Sequence, residues 1–406
     1  MRKELDLIVF GASGFTGRLV AQYLNSTYGV GRDVAWAIAG RSRSKLESVR
    51  DSLGAVKNLP LLPADATDAK ALASLVAQAK VIITTVGPYQ LHGEPLVAAC
   101  AQTGTDYVDL CGEPVWMARM IPRLSAPARA SGARIVFSCG FDSIPFDLGV
   151  LFLQAEAMRR FGAPLSRVHG LVRLIKGGPS GGTIASLLET VEAMGRDPAQ
   201  ARQMADPFAL TPGFRGPAQP SSEAATFDAL AQAWTAPFVM APINTKNVHR
   251  TNALRGHPWG TDFVYDERMH LGSGVRGEQR AKALARSTRI QNMLLGFSPT
   301  RAVLRRFVLP QPGLGPNARQ RDAGRYDLLF IGQTAQGQTL RASVKGDRDP
   351  GYGSTSKMVT EAALCLVQDI DRGATAGGVW TAGAAMGMAL VRRLQAHAGL
   401  SFAIEE

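Results

Sequence analysis

The sequence predicts an α/β protein built on a doubly wound parallel sheet, and three observations carry that prediction. Short apolar runs alternate with helical patterns over residues 1–140. A glycine-rich turn, GASGFTG, joins the first run to a helix. VIITTV (81–86) is continuous and β-branched, as expected of a strand covered on both faces. Residues 5–10 read as the first strand and 18–24 as the start of the first helix. Strands at 34–39 and 59–64 then alternate with helices at 44–53 and 69–79. With 81–86, the runs 107–110 and 134–138 complete a six-stranded sheet.

Beyond residue 141 the rhythm changes. A strand at 168–175 leads into GGPSGGT (177–183) and a helix at 184–194, and 197–220, rich in Pro, Gly and Ala, reads as loop. Alternation within 325–331 and 339–345 predicts an antiparallel hairpin. Residues 1–145 are therefore expected to form a dinucleotide-binding domain and 146–350 an inserted α+β substrate domain. Helical spacing returns at 355–369 and 384–397, so 351–406 is expected to supply helices that pack back on the first domain.

A chain of 406 residues with 46% hydrophobic and 19% charged residues has the composition of a folded, multidomain protein and not of a disordered one. Its net charge of +12 suits phosphate-bearing partners. Eight Arg and Lys against one acid fall within 276–306. The basic amphipathic stretch 288–313 fits three uses: lying on anionic lipid, receiving an acidic acyl-carrier domain, or docking on its own protein. Few aromatics and no reading module accompany it, so nucleic acid is not expected as a partner. Cysteines at 100, 111, 139 and 365 lack CxxC or zinc spacing and read as reduced, buried thiols, with no metal site. The amino terminus runs from a charged start straight into a strand, and 376–390 is shorter than the ~20 residues of a span. A cytoplasmic protein is expected, with peripheral contact at an anionic inner membrane face open to it. No motif fixes the oligomeric state; a dimer is the working expectation.

Chemistry begins at the glycine turn. Gly11 allows the tight turn off the strand, Gly14 lets the backbone approach a pyrophosphate, and Gly17 lets the helix pack on the sheet. Ser13, Phe15 and Thr16 complete the loop, and the helix N-terminus offers free N–H groups. The second strand ends AGRSR (39–43) with no acid for a ribose hydroxyl. Arg41, with Ser42 beside it, fits a 2′-phosphate, which favours NADP; the bland alternative is a solvated loop. The fourth strand ends TTVGPY (84–89), so Val86, Gly87 and Pro88 should line the cofactor. Tyr89 and His92 follow as proton donors or as a packed ring and a surface imidazole.

Several stretches together resemble one family: VFGASGFTG (9–17), AGRS (39–42), VGPY (86–89) with AC (99–100), YVDLCGE (107–113), CGFDSIPFDLG (139–149), SGGT (180–183) and GGVWTAGAAMG (377–387). The chain resembles a saccharopine dehydrogenase-like oxidoreductase of the trans-acting enoyl reductase type. That resemblance implies a Rossmann domain with an inserted substrate domain. It also implies NADPH-dependent reduction of an acyl C=C bond, the acyl group held on CoA or an acyl carrier. One departure is Thr381-Ala382, where the family tends to threonine-proline, and it puts the local turn in question.

Enoyl reduction leaves negative charge on the carbonyl oxygen before Cα takes a proton, so an oxyanion donor and a general acid are sought. Tyr89, Glu113 and Asp142 are the catalytic candidates, with Cys111 and Ser143 beside them. Asp142 would serve equally well as a cap for a helix starting near Pro145. Glu113 could contact nicotinamide or substrate. The cluster at 177–182 could hold phosphopantetheine or a carboxylate, or simply give a tight domain entrance. Tyr352, in DPGYGSTSK (349–357), is a further pocket candidate. The rival readings are a saccharopine-type imine reductase, for which the second-domain arginines do not cluster around substrate carboxylates, and an NADP-binding protein without turnover.

Overall fold

The computed structural model describes residues 3–54, 57–177, 181–296 and 315–406. Two seven-stranded sheets form its frame. The first contains β1 (Leu5–Phe10), β2 (Trp36–Gly40), β3 (Leu61–Pro63), β4 (Ala79–Thr84), β5 (Asp106–Val108) and β6 (Arg134–Val136). All are parallel, in the order β6-β5-β4-β1-β2-β3, so the strand order reverses between β1 and β4. Alternate residues of β1 face opposite ways. Leu7 and Val9 join the core beneath helix Phe15–Tyr28, and Ile8 and Phe10 join the core beneath helices Ala69–Val76 and Glu94–Thr103. Both faces are thus covered, which explains the unbroken apolar run in β4.

The second sheet is mixed. Its strands are β7 (Leu165–Lys176), β8 (Thr226–Asp228), β9 (Ala233–Pro237), β10 (Val264–His270), β11 (Arg325–Thr334) and β12 (Thr339–Gly346). The expected hairpin is β11–β12, and only β7 and β10 run parallel. Helix Ile144–Phe161 leaves the first sheet and lies on the second, spanning the boundary expected at 145/146. Phe146 stands against Phe330 at 6.4 Å, and Gly149 admits the same ring. One continuous core therefore joins the two sheets.

Three expectations are corrected. The first sheet has seven strands, not six, because β13 (Gly378–Trp380) pairs parallel with β6. A strand of three residues leaves too short a run for alternation to register. Within the stretch read as loop, Pro198–Ala205 is a helix, capped by the Asp197 side chain. The last helix is interrupted at Gly387, whose φ is +52°, and it is followed by β14 (Leu400–Glu405), which pairs with β12. The C-terminal segment thus returns to both sheets. Helix Thr355–Gln368 does pack on the first domain, beside helix Phe15–Tyr28. There the fully buried Glu361 accepts from Tyr23 Oη at 2.6 Å, Tyr28 Oη at 2.8 Å and Arg393 Nε at 2.6 Å.

All four cysteines are buried free thiols. No helix among the described residues is long and apolar enough to cross a membrane.

Candidate active site

Ligands of doubly wound sheets bind beyond the carboxyl ends of the strands at the reversal of strand order, here β1 and β4. The glycine turn sits there. Gly11 has φ +87°, and a Cβ on it would lie 2.6 Å from Val86 Cγ2. A Cβ on Gly17 would lie 2.3 Å from the Gly11 carbonyl oxygen, so the helix can approach only with glycine at that position. Gly14, by contrast, is exposed, and a Cβ on it would meet only Gly11 O, at 3.2 Å. Gly14 is also the N-cap of helix Phe15–Tyr28; no side chain caps this end and no acid lies in its first turn. Its amide groups and dipole are left open to a pyrophosphate, so these residues fit a dinucleotide.

Around the cradle, Ser13 and Thr16 are half-buried, and the Phe15 ring meets Tyr352 edge-on at 4.5 Å with Arg321 over its face. Tyr352 is thereby placed beside the cradle, itself buried. Arg41 is exposed at the end of β2 and makes no hydrogen bond or salt bridge among the described residues, whereas Arg43 pairs with Glu47. Ser42 caps the next helix by accepting from Lys45 N at 3.3 Å.

After β4, the Gly87–Pro88 peptide is cis and leads into a short helix, Tyr89–His92. Glu113 organises this loop. Its buried carboxylate accepts from Tyr89 N at 2.9 Å, Gln90 N at 2.8 Å and Ser186 Oγ at 2.8 Å. Burial pushes its pKa up, against the pull of those donors. The Tyr89 hydroxyl donates to Thr84 O at 3.2 Å and accepts from Leu110 N at 3.0 Å, with the ring against Trp116. Burial holds that phenol well above its ordinary range. A hydroxyl engaged on both sides inside the core is not placed to deliver a proton, and the same burial removes Cys111 from acid–base work. His92 stands exposed at the end of its short helix.

Several residues of CGFDSIPFDLG are explained by local contacts. Cys139 N donates to Asp109 O at 2.7 Å, and Phe141 N to Thr355 Oγ1 at 3.0 Å, which ties the turn after β6 to the C-terminal helix. Ser143, not Asp142, occupies the N-cap of helix Ile144–Phe161, with Pro145 in its first turn. Ser143 Oγ donates to Asp142 O at 2.5 Å and accepts from Asn247 Nδ2 at 2.7 Å. The Asp142 carboxylate makes no hydrogen bond or ion pair among the described residues, and burial lifts its pKa to about 6. The capping alternative for Asp142 is therefore set aside. Asp147 accepts from Gly383 N at 2.7 Å, and a Cβ on Gly383 would fall 2.7 Å from that carboxylate. Thr381 Oγ1 accepts from Ala384 N at 3.2 Å, which leaves Ala382 at the first helical position. Proline is favoured there but not required, so the turn forms with alanine.

Three features escaped the sequence reading. Asp109 gathers Tyr107 Oη, Cys111 N and Ser138 N within 3.0 Å, and burial raises its pKa to about 7. Ser186 reaches Glu113 from 73 residues away, a pairing with no local signature. Helix Ala241–Leu254 is polar in sequence yet buried on nearly every side, its Asn244 bound to Glu267 at 2.8 Å. Its signal was a run of Asn, Lys and His without the spacing of a surface helix. Residues 178–180 of the second glycine cluster and 297–314 of the basic stretch lie outside the described residues.

Two surface grooves lie elsewhere. One runs between helix Phe15–Tyr28 and Arg348 and Lys357; the other lies at the amino ends of the strands, beside Arg134 and Arg372. Among the described residues no group of acids, His and Cys is arranged to hold a metal.

A GxxGxxG cradle at the switch point, faced by a second mixed sheet, defines a nicotinamide-dinucleotide-dependent oxidoreductase with a separate substrate-side sheet. Comparison narrows the class. Residues 7–136 match the profile of the saccharopine dehydrogenase NADP binding domain. A Mycobacterium tuberculosis protein named provisionally as a trans-acting enoyl reductase is 41% identical over 415 residues, covering 98% of this chain and 97% of its own. The trans-acting enoyl reductases of Mycobacterium bovis and Mycobacterium ulcerans are each 37% identical, covering 97% of this chain and 96% of theirs. The glutamate-forming saccharopine dehydrogenase of Saccharomyces cerevisiae shares the fold, with a TM-score of 0.54 at 14% identity over 99% of this chain and all of its own. The chain belongs to the trans-acting enoyl reductase family of saccharopine dehydrogenase-like proteins, and its cofactor is NADP.

Proposed function

We propose that the protein reduces the C=C bond of an enoyl thioester with NADPH, and that Asp142 supplies the proton. One observation carries the second half: a carboxyl group raised to about 6, without a hydrogen-bond or ion-pair partner among the described residues, in the turn after β6. Adjacent strands lie ~4.8 Å apart, so the turns after β4, β5 and β6 fall within roughly 10 Å of one another. Glu113 and Asp142 therefore border the same end of the sheet as Gly87 and Pro88.

The chemistry that NADPH would supply when bound is hydride donation, here to Cβ of the substrate. The open amides at the Gly14 helix N-terminus would hold the pyrophosphate, in a turn that Gly11 and Gly17 allow, and Arg41 would take the 2′-phosphate. Glu113 fixes the 87–90 loop in place through two backbone amides and does not itself exchange protons. As charge builds on the thioester oxygen, the protonated Asp142 carboxyl delivers its proton to Cα and is left as carboxylate. Tyr89 acts as a brace under the loop.

The test is NADPH consumption with enoyl thioesters carried on CoA and on pantetheine. Turnover with a kcat/KM that falls above about pH 6, a limb absent in Asp142→Asn, is expected. No consumption above background across the panel would sink the reading.

A further inference from the structure

Helix Gly274–Gly296 is the longest basic element the site does not use. Its inward face is narrow: Gly277 and Ala281 are its only buried residues, seated against β9 and helix Gly181–Arg196. The outward face repeats at helical spacing. Val275, Lys282, Arg286, Arg289 and Met293, separated by seven, four, three and four residues, share one ridge opposite Gly277 and Ala281. Val275 is 69% exposed and Met293 67%, with Ile290 alongside at 43%. Arg276, Arg280, Arg286 and Arg289 are exposed and have no carboxylate partner among the described residues; Lys282 alone is paired, with Glu278 at 2.6 Å.

Arg286 and Arg289 on the ridge, without a carboxylate among the described residues, repel each other and are favourable only toward an anionic partner. Two such partners differ in what they require. An interfacial helix on lipid needs an apolar face along its length, whereas here the outward apolar groups are confined to the two ends, Val275 at one and Ile290, Met293 and Leu294 at the other, with the cationic ridge between. An acidic helix of a protein partner matches that pattern, with charge pairs in the middle and small apolar contacts at either end. The ridge is also one helix from the site. Helix Gly181–Arg196, on which it rests, carries the Ser186 that binds Glu113.

We propose that the outward ridge of helix Gly274–Gly296 docks the acidic face of an acyl-carrier domain, presenting the enoyl group across helix Gly181–Arg196 to the site. This rests on the enoyl reductase reading for the identity of the cargo. The ridge steers and holds the carrier and makes no contact with the reacting atoms.

The experiment compares the full chain with the variant Lys282→Glu, Arg286→Glu, Arg289→Glu, and with the milder Lys282→Gln, Arg286→Gln, Arg289→Gln. The probes are a holo-acyl carrier protein loaded with an enoyl thioester, the same enoyl group on free pantetheine, and vesicles of anionic phospholipid. At low salt the charge-reversed variant is expected to bind the carrier about tenfold or more weakly, with kcat/KM on the carrier-bound thioester falling alike. The Gln variant should lie between, while NADPH affinity and kcat/KM on the pantetheine thioester stay unchanged. Equal carrier binding by all three proteins overturns the docking surface. So does a variant that loses only vesicle binding, which would mark the ridge as a membrane contact. Carrier binding lost as expected, with no NADPH consumption on any thioester even in the unmodified protein, leaves the surface standing and defeats the enoyl reductase reading instead.

Discussion

Ser186 donates to Glu113 at 2.8 Å, and the same carboxylate accepts the amides of Tyr89 and Gln90. The loop after β4 and a helix of the second domain are thus held by one side chain. Replacing Glu113 with Gln keeps the shape but turns one acceptor into a donor facing another donor. A buried donor left unmet costs about 1–3 kcal/mol. Glu113→Gln should lower thermal stability by that order and weaken NADPH binding together, checked by calorimetry and by cofactor titration. A variant with full stability and full affinity would show that the loop does not depend on this carboxylate.

Arg41 stands at the end of β2 without a hydrogen bond or salt bridge among the described residues. Charge-assisted bonds of this kind contribute about 1.5–3 kcal/mol, roughly tenfold to a hundredfold in affinity. Arg41→Ala should weaken NADPH by that factor and leave NADH unchanged. Equal effects on both cofactors, measured by fluorescence titration, would remove Arg41 from the 2′-phosphate.

Two of the cradle glycines should fail differently. A methyl on Gly17 meets backbone at 2.3 Å, so Gly17→Ala should force the helix off the sheet and lower stability by about 1–3 kcal/mol. A methyl on Gly14 would meet only Gly11 O, at 3.2 Å, so Gly14→Ala should keep nearly native stability while losing NADPH affinity by crowding the phosphates. Urea unfolding beside cofactor titration separates the two.

Asp142 links activity to pH. Its folded carboxyl titrates at about 6 against an ordinary value of 3.8. Between those values the folded chain keeps a proton that the unfolded chain has lost, so stability falls as pH rises through this window and stays lower above it. Asp142→Asn removes that cost. The variant should be more stable than the native protein at about pH 8, lose this advantage near pH 4, and turn over more slowly across the range, with the limb near pH 6 gone. Melting temperatures across the range test the sign, and a variant less stable at high pH would refute the burial of an uncompensated carboxylate.

Much of the first domain was legible because its signals are local. The turn from β1 into its helix requires glycine where φ is positive and where backbone meets backbone, so Gly11 and Gly17 announce themselves in sequence. Asp142 and Glu113 were visible as candidates through their motifs, but their roles were not. Which of Asp142 and Ser143 caps the helix, and whether Tyr89 has a free hydroxyl, depend on partners such as Asn247 and Leu110 brought in from elsewhere. The seventh strand β13 and the closing strand β14 were missed for the same reason, since each is defined by the neighbour it pairs with.

By itself the sequence determined a dinucleotide cradle and, through its motifs, the family, and it pointed to NADP through Arg41, because each reading depends on a few contiguous residues with strict steric or charge requirements. Only the tertiary structure decided that Asp142 has no hydrogen-bond or ion-pair partner among the described residues while Tyr89 and Glu113 are fully engaged. Burial and hydrogen bonding are properties of assembled neighbours: Asp147 meets Gly383 across 236 positions, and no local pattern encodes such a meeting.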